Sequence, residues 1–296
     1  MKGSEVAIIG GGPAGVAAAV QLRRCGIEPL LFERDRVGGL VRNAFRLENY
    51  PGFPGGVAGG ELADLLEEHL ASHEVEVRRE EVTSADVDDG SFRLESSAGA
   101  CRCKVLIVAS GTRPKRFNTV PVPTGVEGKV FYEVYPIAEV GGKKVVVVGA
   151  GDAAFDYALN LARDNDVVVL NRRGAANCIP LLEERAARAP RLEHRPRTEV
   201  TAFDVTAGGG VEVKCSGPAG EETIDADYVL FALGREPECR FVTKRLRENA
   251  PRLEAEGRLY FVGDVRNGEL RQAAIAAGDG LRAAGEIYRR MKGVRR

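Results

Sequence analysis

No Cys-x-x-C pair occurs anywhere in the 296-residue chain. Its six cysteines, Cys25, Cys101, Cys103, Cys178, Cys215 and Cys239, read as reduced thiols of a cytosolic protein. A strong charge of one sign is missing as well: the formal net charge is −1, so no global field favours nucleic acid or an anionic membrane. Long apolar runs are absent, and Val145–Val148 is far too short to span a bilayer. The opening residues enter a strand at once with no cleavable signal region, so a cytoplasmic location is expected. The three histidines, His69, His73 and His194, lie outside every motif. His69 and His73 are one helical turn apart but have no third ligand nearby, so a solvated helix face is expected rather than a metal site. No serine-hydrolase or Cys–His constellation, low-complexity segment or long charge run is found.

What is present is the composition of a soluble globular protein, 44% apolar and 29% charged, long enough for two domains with cores of their own. Short Val/Ile-rich runs alternate with Ala-rich amphipathic runs across Gly-rich turns, the pattern of βαβ units with buried parallel strands. Residues 5–10, 13–26 and 28–33 read as strand, helix and strand; residues 143–149, 152–165 and 166–173 repeat that layout. A helix over 60–73 and polar-alternating strands lie between the repeats, and 259–265 reads as a late strand. Pro-bearing boundaries fall near Arg113–Pro123 and Gly234–Glu238. The second unit thus reads as an insertion into the first.

The first unit carries Gly10-Gly11-Gly12-Pro13-Ala14-Gly15. Gly10 permits a tight turn, Gly12 lets the backbone approach a pyrophosphate, and Gly15 lets the helix pack closely on the strand. The helix N-terminus presents free N–H groups and a positive dipole end. Glu33, ending the second strand, is placed for a ribose diol. The second unit carries Gly149-Ala150-Gly151-Asp152-Ala153-Ala154, and its next strand ends Asn171-Arg172-Arg173. An acid for a 2′-hydroxyl is missing there, and two arginines suit a 2′-phosphate, favouring NADPH over NADH. Gly263-Asp264 closes the late strand. A helix starting near Gln272 would aim its dipole at a flavin.

With these motifs the sequence resembles the low-molecular-weight thioredoxin reductase-like flavoproteins. The resemblance rests on GGGPAG (10–15), GGL (38–40), ENYPGF (48–53), ASGTRP (109–114), GAGDAA (149–154), NRR (171–173), ALGREP (232–237) and GDVRNGELRQAAIAAGDG (263–280). It implies an α/β fold of two Rossmann-like, three-layer ββα dinucleotide-binding domains. An FAD domain of residues 1–115 and 238–296 would hold an inserted NAD(P)H domain of residues 116–237. By motif, Gly10, Gly12, Pro13, Ala14, Gly15, Glu33, Gly38, Gly39, Leu40, Asn49, Ala109, Gly111, Gly263, Asp264, Arg271, Gln272 and Ala273 would contact FAD. Gly149, Gly151, Asp152, Ala153, Arg172 and Arg173 would contact NADPH. Two departures stand out: Asn171 replaces the family's usual His, and Asn177 stands where a third Arg is usual.

A larger departure concerns the redox disulfide. Ungapped counting back from Gly149 puts Tyr132 and Tyr135 where thioredoxin reductases keep the Cys-x-x-C. In this respect the chain resembles the ferredoxin/flavodoxin–NADP+ reductases of the same fold, which exchange electrons directly between flavin and an external carrier. A homodimer is expected, with a ferredoxin or flavodoxin as partner, no nucleic acid, no membrane and no catalytic side chain beyond the flavin. Other acceptors (a disulfide, a quinone or oxygen) and a non-turnover flavin module are the alternatives. A C-terminal extension over the flavin is expected to be absent or very short. Tyr132 and Tyr135 have two open roles, shielding the flavin or packing between domains. Cys101 and Cys103 are expected on one strand face, half-buried and inert, and Cys178 exposed and inert. Arg113, Lys115, Arg116 and the tail from Arg289 to Arg296 are candidates for a basic patch facing an acidic carrier.

Overall fold

The computed structural model describes residues 4–293. Of the expected basic tail, Val294, Arg295 and Arg296 lie outside the described residues. The chain divides into two units: Met1–Arg42 with Leu47–Arg113 and Glu236–Arg296, and Asn43–Arg46 with Pro114–Arg235. The main chain thus passes between units two residues ahead of each expected boundary, and the short segment Asn43–Arg46 groups with the second unit.

In the first unit, strands Pro29–Glu33, Ser4–Ile9 and Gly99–Val108 run parallel, with Ile8 opposite both Leu31 and Ile107. Val77–Arg79 and Leu259–Phe261 extend this parallel set. Val6 and Ile8 enter a core with helices Pro13–Arg24 and Ala273–Met291, while Ala7 and Ile9 enter another with Phe92, Leu94, Leu246 and Leu253. Burial on both faces is why the first strand reads as a continuous apolar run instead of an alternation. The ten-residue strand Gly99–Val108 also pairs antiparallel with Ser91–Ser96, which pairs with Val82–Asp88. The second β layer of this unit is therefore hydrogen-bonded to the first through one shared strand.

Helix Lys244–Ala255 is absent from the sequence reading because it contains Pro251 and buries only Leu246 and Leu253. Its start is fixed by Thr243, whose hydroxyl accepts from the Leu246 amide at 3.2 Å.

The second unit has a parallel sheet in the order Val130–Phe131, Tyr228–Phe231, Lys144–Val148, Asp166–Asn171, Leu192–Pro196. Helices Asp152–Leu161 and Pro180–Arg188 cover one face. The antiparallel strands Glu199–Val205, Val211–Gly217 and Gly220–Ala226 cover the other, giving the three-layer ββα arrangement. Among the described residues no helix is long and apolar enough to cross a membrane.

In the first unit, helices Pro13–Arg24 and Ala273–Met291 meet through small residues. A Cβ on Gly280 would stand 2.1 Å from the Ala14 carbonyl oxygen, whereas one on Gly285 meets nothing within 4 Å. Gly280→Ala should therefore destabilise by about 1–3 kcal/mol through overpacking. Gly285→Ala should stabilise by about 0.5–1 kcal/mol through helix propensity. Urea unfolding of the two variants checks the opposite signs; a shift of the same sign in both would show the crossing is not tight.

Candidate dinucleotide sites

In the first unit, Gly10 leaves its strand at φ 107° and donates its amide to the Phe32 carbonyl at 2.8 Å. A Cβ on Gly10 would lie 2.4 Å from the Ala109 oxygen, and one on Gly15 would lie 1.8 Å from the Gly10 oxygen. These approaches draw the N-terminus of helix Pro13–Arg24 onto the strand ends. A side chain on Gly12, by contrast, would meet no protein atom within 4 Å. The fold therefore does not need glycine there; only something outside the protein would. Pro13 opens the helix, no side chain caps it, and no acid stands in its first turn. Space, free donors and a positive helix end together fit a pyrophosphate such as that of FAD.

Other expected residues converge on the same place. The Gly38 amide donates to the Gly11 carbonyl at 2.8 Å, and a Cβ on Gly39 would lie 3.5 Å from the Gly12 Cα. Leu40 follows in the 3-10 turn Gly39–Asn43. A Cβ on Gly263 would lie 2.9 Å from the Ala14 Cβ, which brings Gly263-Asp264 beside the helix start. Gly263 also donates its amide to Asp279 at 3.3 Å. Helix Ala273–Met291 begins where expected, and Gln272 Oε1 accepts from Asn49 Nδ2 at 2.7 Å, joining residues from opposite ends of the sequence. Arg271 precedes this pair, and Gly111 accepts the Glu238 amide at 3.0 Å.

Glu33 is more occupied than the sequence suggests. Its carboxylate accepts from the Gly11 amide at 2.7 Å and the Asp35 amide at 2.9 Å, so it first of all holds the Gly-rich turn in shape. It also lines a cavity of about 350 Å3 with Gly10, Glu80, Glu81, Thr83 and Ser110. Glu80 to Thr83 carry no motif, whereas Ser110 belongs to the ASGTRP stretch. Topology alone brings them to Glu33, because strand Val82–Asp88 starts there.

The second unit repeats the device. Gly149 sits at φ 131°, and a Cβ on it would lie 2.3 Å from the Ala232 oxygen. Asp152 Oδ1 accepts from the Ile179 amide at 2.8 Å, and the Asn177 amide donates to Ala150 at 2.7 Å. Asn177 is thus tied by its backbone to the Gly-rich turn. The buried Asn171 side chain accepts from the Arg173 amide at 2.9 Å and donates to the Ala175 carbonyl at 2.9 Å. That shapes the loop on which Arg172 and Arg173 stand exposed.

All six thiols are free. Cys101 and Cys103 are fully buried rather than half-buried, because their strand is sandwiched within the second core of its unit. Cys178 is half-buried against the helical face of its unit rather than exposed. Burial raises the thiols of Cys101, Cys178 and Cys239, and pushes Cys215 up to about 11 and Cys103 up to about 12. None of these five is a ready thiolate. Tyr132 is engaged by neighbours of its own unit. Its hydroxyl accepts from the Phe117 amide at 3.2 Å, its ring lies 5.3 Å from Phe231, and Arg116 stacks over it at 4.4 Å, all within its own unit. Tyr135 is 41% exposed. Between them Glu133 is ion-paired with Arg235 at 2.8 Å. Arg113 is neutralised by Glu236 at 2.7 Å, which removes it from the expected basic patch. Among the described residues no cluster could hold a metal ion; His69 and His73 pack edge to edge at 5.0 Å, with His73 Nδ1 3.0 Å from Ser72 Oγ and 3.1 Å from the His69 carbonyl oxygen.

Comparison with known proteins agrees with this geometry. The pyridine nucleotide-disulphide oxidoreductase family profile matches residues 4–280. Thioredoxin reductase from Mycolicibacterium smegmatis is 28% identical over 299 residues, 95% of this chain and 94% of that protein. That of Escherichia coli O157:H7 is 28% identical over 319 residues, 99% and 98% of the two chains. The crystal structure of T. acidophilum thioredoxin reductase superposes with a TM-score of 0.85 at 25% identity, covering 99% of this chain and 100% of that one. The chain belongs to the pyridine nucleotide-disulphide oxidoreductase family, as a thioredoxin reductase-like flavoprotein with Rossmann-like dinucleotide-binding domains. Thioredoxin reductase-family proteins use FAD and NADPH.

The buried Cys103 thiol gives a pH test of the fold. The unfolded thiol ionises near pH 8.5–9 while the folded one stays protonated to about pH 12, so the unfolded state holds fewer protons between those values. Stability should fall across that window by up to about 1.4 kcal/mol per pH unit from this one group. Cys103→Ala should show a shallower fall in urea melts between pH 8 and 11. Parallel pH profiles for the two proteins would refute the assignment.

Proposed function

We propose that this flavin-dependent NAD(P)H oxidoreductase passes electrons between NADPH and an external carrier, a ferredoxin or a flavodoxin, with no disulfide of its own in the path. The state of the residues that a relay would need carries the reading. Tyr132 is packed against the core of its unit, and the thiols of Cys101, Cys103 and Cys215 are buried and held protonated. A thiol relay needs two neighbouring accessible sulfurs and a thiolate, and no two of the six provide them.

FAD, when bound, supplies the electron chemistry that no side chain here can. The protein's own residues bind and orient. The bare Gly12 peptide and the start of helix Pro13–Arg24 would hold the FAD pyrophosphate. Glu33 holds the Gly11 turn and would offer its remaining lone pairs to a ribose, with the adjoining cavity taking the adenosine end. The Asn49–Gln272 pair fixes the start of helix Ala273–Met291, whose positive end favours the negative charge that builds on a reduced flavin. Gly151 and Asp152 shape the turn that would hold NADPH, and Arg172 and Arg173 would meet its 2′-phosphate. Lys115 and Arg116, and in the tail Arg289 and Lys292, are exposed cations available to an acidic partner, and a cytoplasmic homodimer is the expected working form.

Two measurements test this reading. Changing all six cysteines to Ser or Ala should leave reduction by NADPH and reoxidation by a one-electron carrier near native rates in stopped flow. Turnover with a disulfide substrate that vanishes in this variant would overturn the direct route. NADPH should reduce the flavin more efficiently than NADH. Arg172→Ala with Arg173→Ala should narrow that gap by about 1.5–3 kcal/mol in kcat/KM. Equal use of both nucleotides by the unchanged enzyme would refute the preference.

A further inference from the structure

We infer that Arg197 is a third arginine for the 2′-phosphate, supplied by the neighbouring strand; the inference rests on the reading of Arg172 and Arg173 given above. No sequence motif marks Arg197, which lies 24 residues beyond Arg173. The sheet brings them together. Strands Asp166–Asn171 and Leu192–Pro196 are parallel neighbours whose last paired residues are Asn171 and Pro196. Both strands therefore release their chains at the same edge, one into Arg172-Arg173 and the other into Arg197.

Beyond the sheet the two loops remain tied. The Thr198 amide donates to the Asn171 carbonyl at 2.9 Å, and the Arg197 amide donates to the Arg173 carbonyl at 2.9 Å. A Cβ on Gly174 would lie 3.9 Å from the Arg197 Cγ, so the arginine stem runs alongside the loop of the other two. All three arginines are exposed. Among the described residues no carboxylate pairs with any of their guanidinium groups, although most other arginines of the chain are engaged in ion pairs or hydrogen bonds.

The backbone at Arg197 is the second observation. It stands at φ 54°, in the left-handed region, one of three non-glycine residues so placed among those described. The other two, Glu74 and Asp89, sit in tight connections after a helix and between hairpin strands. Arg lacks the short polar side chain that eases this conformation in Asn or Asp. A strained backbone that retains a long cation, fixed by hydrogen bonds on both sides, points to use of that cation. Three forks converging from two loops suit the oxygens of a dianionic phosphate monoester, which NADPH and 2′,5′-ADP carry and NADH and 5′-AMP do not.

Isothermal titration of the FAD-loaded enzyme with 2′,5′-ADP and with 5′-AMP tests this without turnover. Arg197→Asn is the informative variant, since Asn accepts the left-handed backbone and the fold is preserved. Far-UV circular dichroism and flavin content should match the unchanged enzyme. The expected result is a loss of 2′,5′-ADP affinity of about tenfold with 5′-AMP affinity within about twofold. Arg197→Lys should lose less than Arg197→Asn, because charge remains while the fork is gone. Unchanged 2′,5′-ADP affinity in Arg197→Asn, with weakened affinity in the Arg172→Ala, Arg173→Ala double variant, would overturn the role of Arg197 and leave the site reading intact. Equal affinity of the unchanged enzyme for the two nucleotides would overturn the site reading and this inference with it.

Discussion

The near-contact between a Gly-rich turn and the carbonyl of a neighbouring strand governs both units. At Gly10 that carbonyl belongs to Ala109, and at Gly149 to Ala232. In each case a side chain would collide with backbone that cannot move aside, so the turn must be glycine, and glycine there adopts a positive φ. The helix that follows then starts directly above the strand ends. Everything that a dinucleotide needs from the protein, namely free N–H groups, a positive end and room for phosphate, follows from that placement. The contrast with Gly12 is informative. Its absent side chain faces open space, so its use lies outside the fold.

The same economy of space accounts for the thiols. Cys101, Cys103 and Cys215 stand at inward-facing strand positions, where desolvation keeps their thiols protonated. Tyr132 packs on Phe231 within its own unit, and Tyr135 is exposed.

The loop that carries Arg172 and Arg173 is built from more than its motif. The missing acid at Asn171 is legible in one dimension. Its structural role is not: the buried amide ties Arg173 and Ala175 into one loop. The neighbouring strand then delivers Arg197 to that loop by register. Charge that a linear reading finds absent at Asn177 is present in space from another part of the chain.

The sequence alone determined the alternation of strands and helices, the two Gly-rich turns and the insertion of one unit into another. These are local matters, set by periodicity, by glycine at positions where nothing else fits, and by proline at the crossings. It also determined that no Cys-x-x-C exists. Only the tertiary structure decided what those residues meet. It brought Glu80 to Thr83 against Glu33, paired Asn49 with Gln272, packed Tyr132 against a core of its unit, buried Cys101 and Cys103, neutralised Arg113 and admitted helix Lys244–Ala255 despite Pro251. Each of these depends on strand order and register, which join residues far apart in the chain. A sequence window has no access to them, because the free energy that fixes them comes from burying both faces of a sheet whose neighbours are not neighbours in sequence.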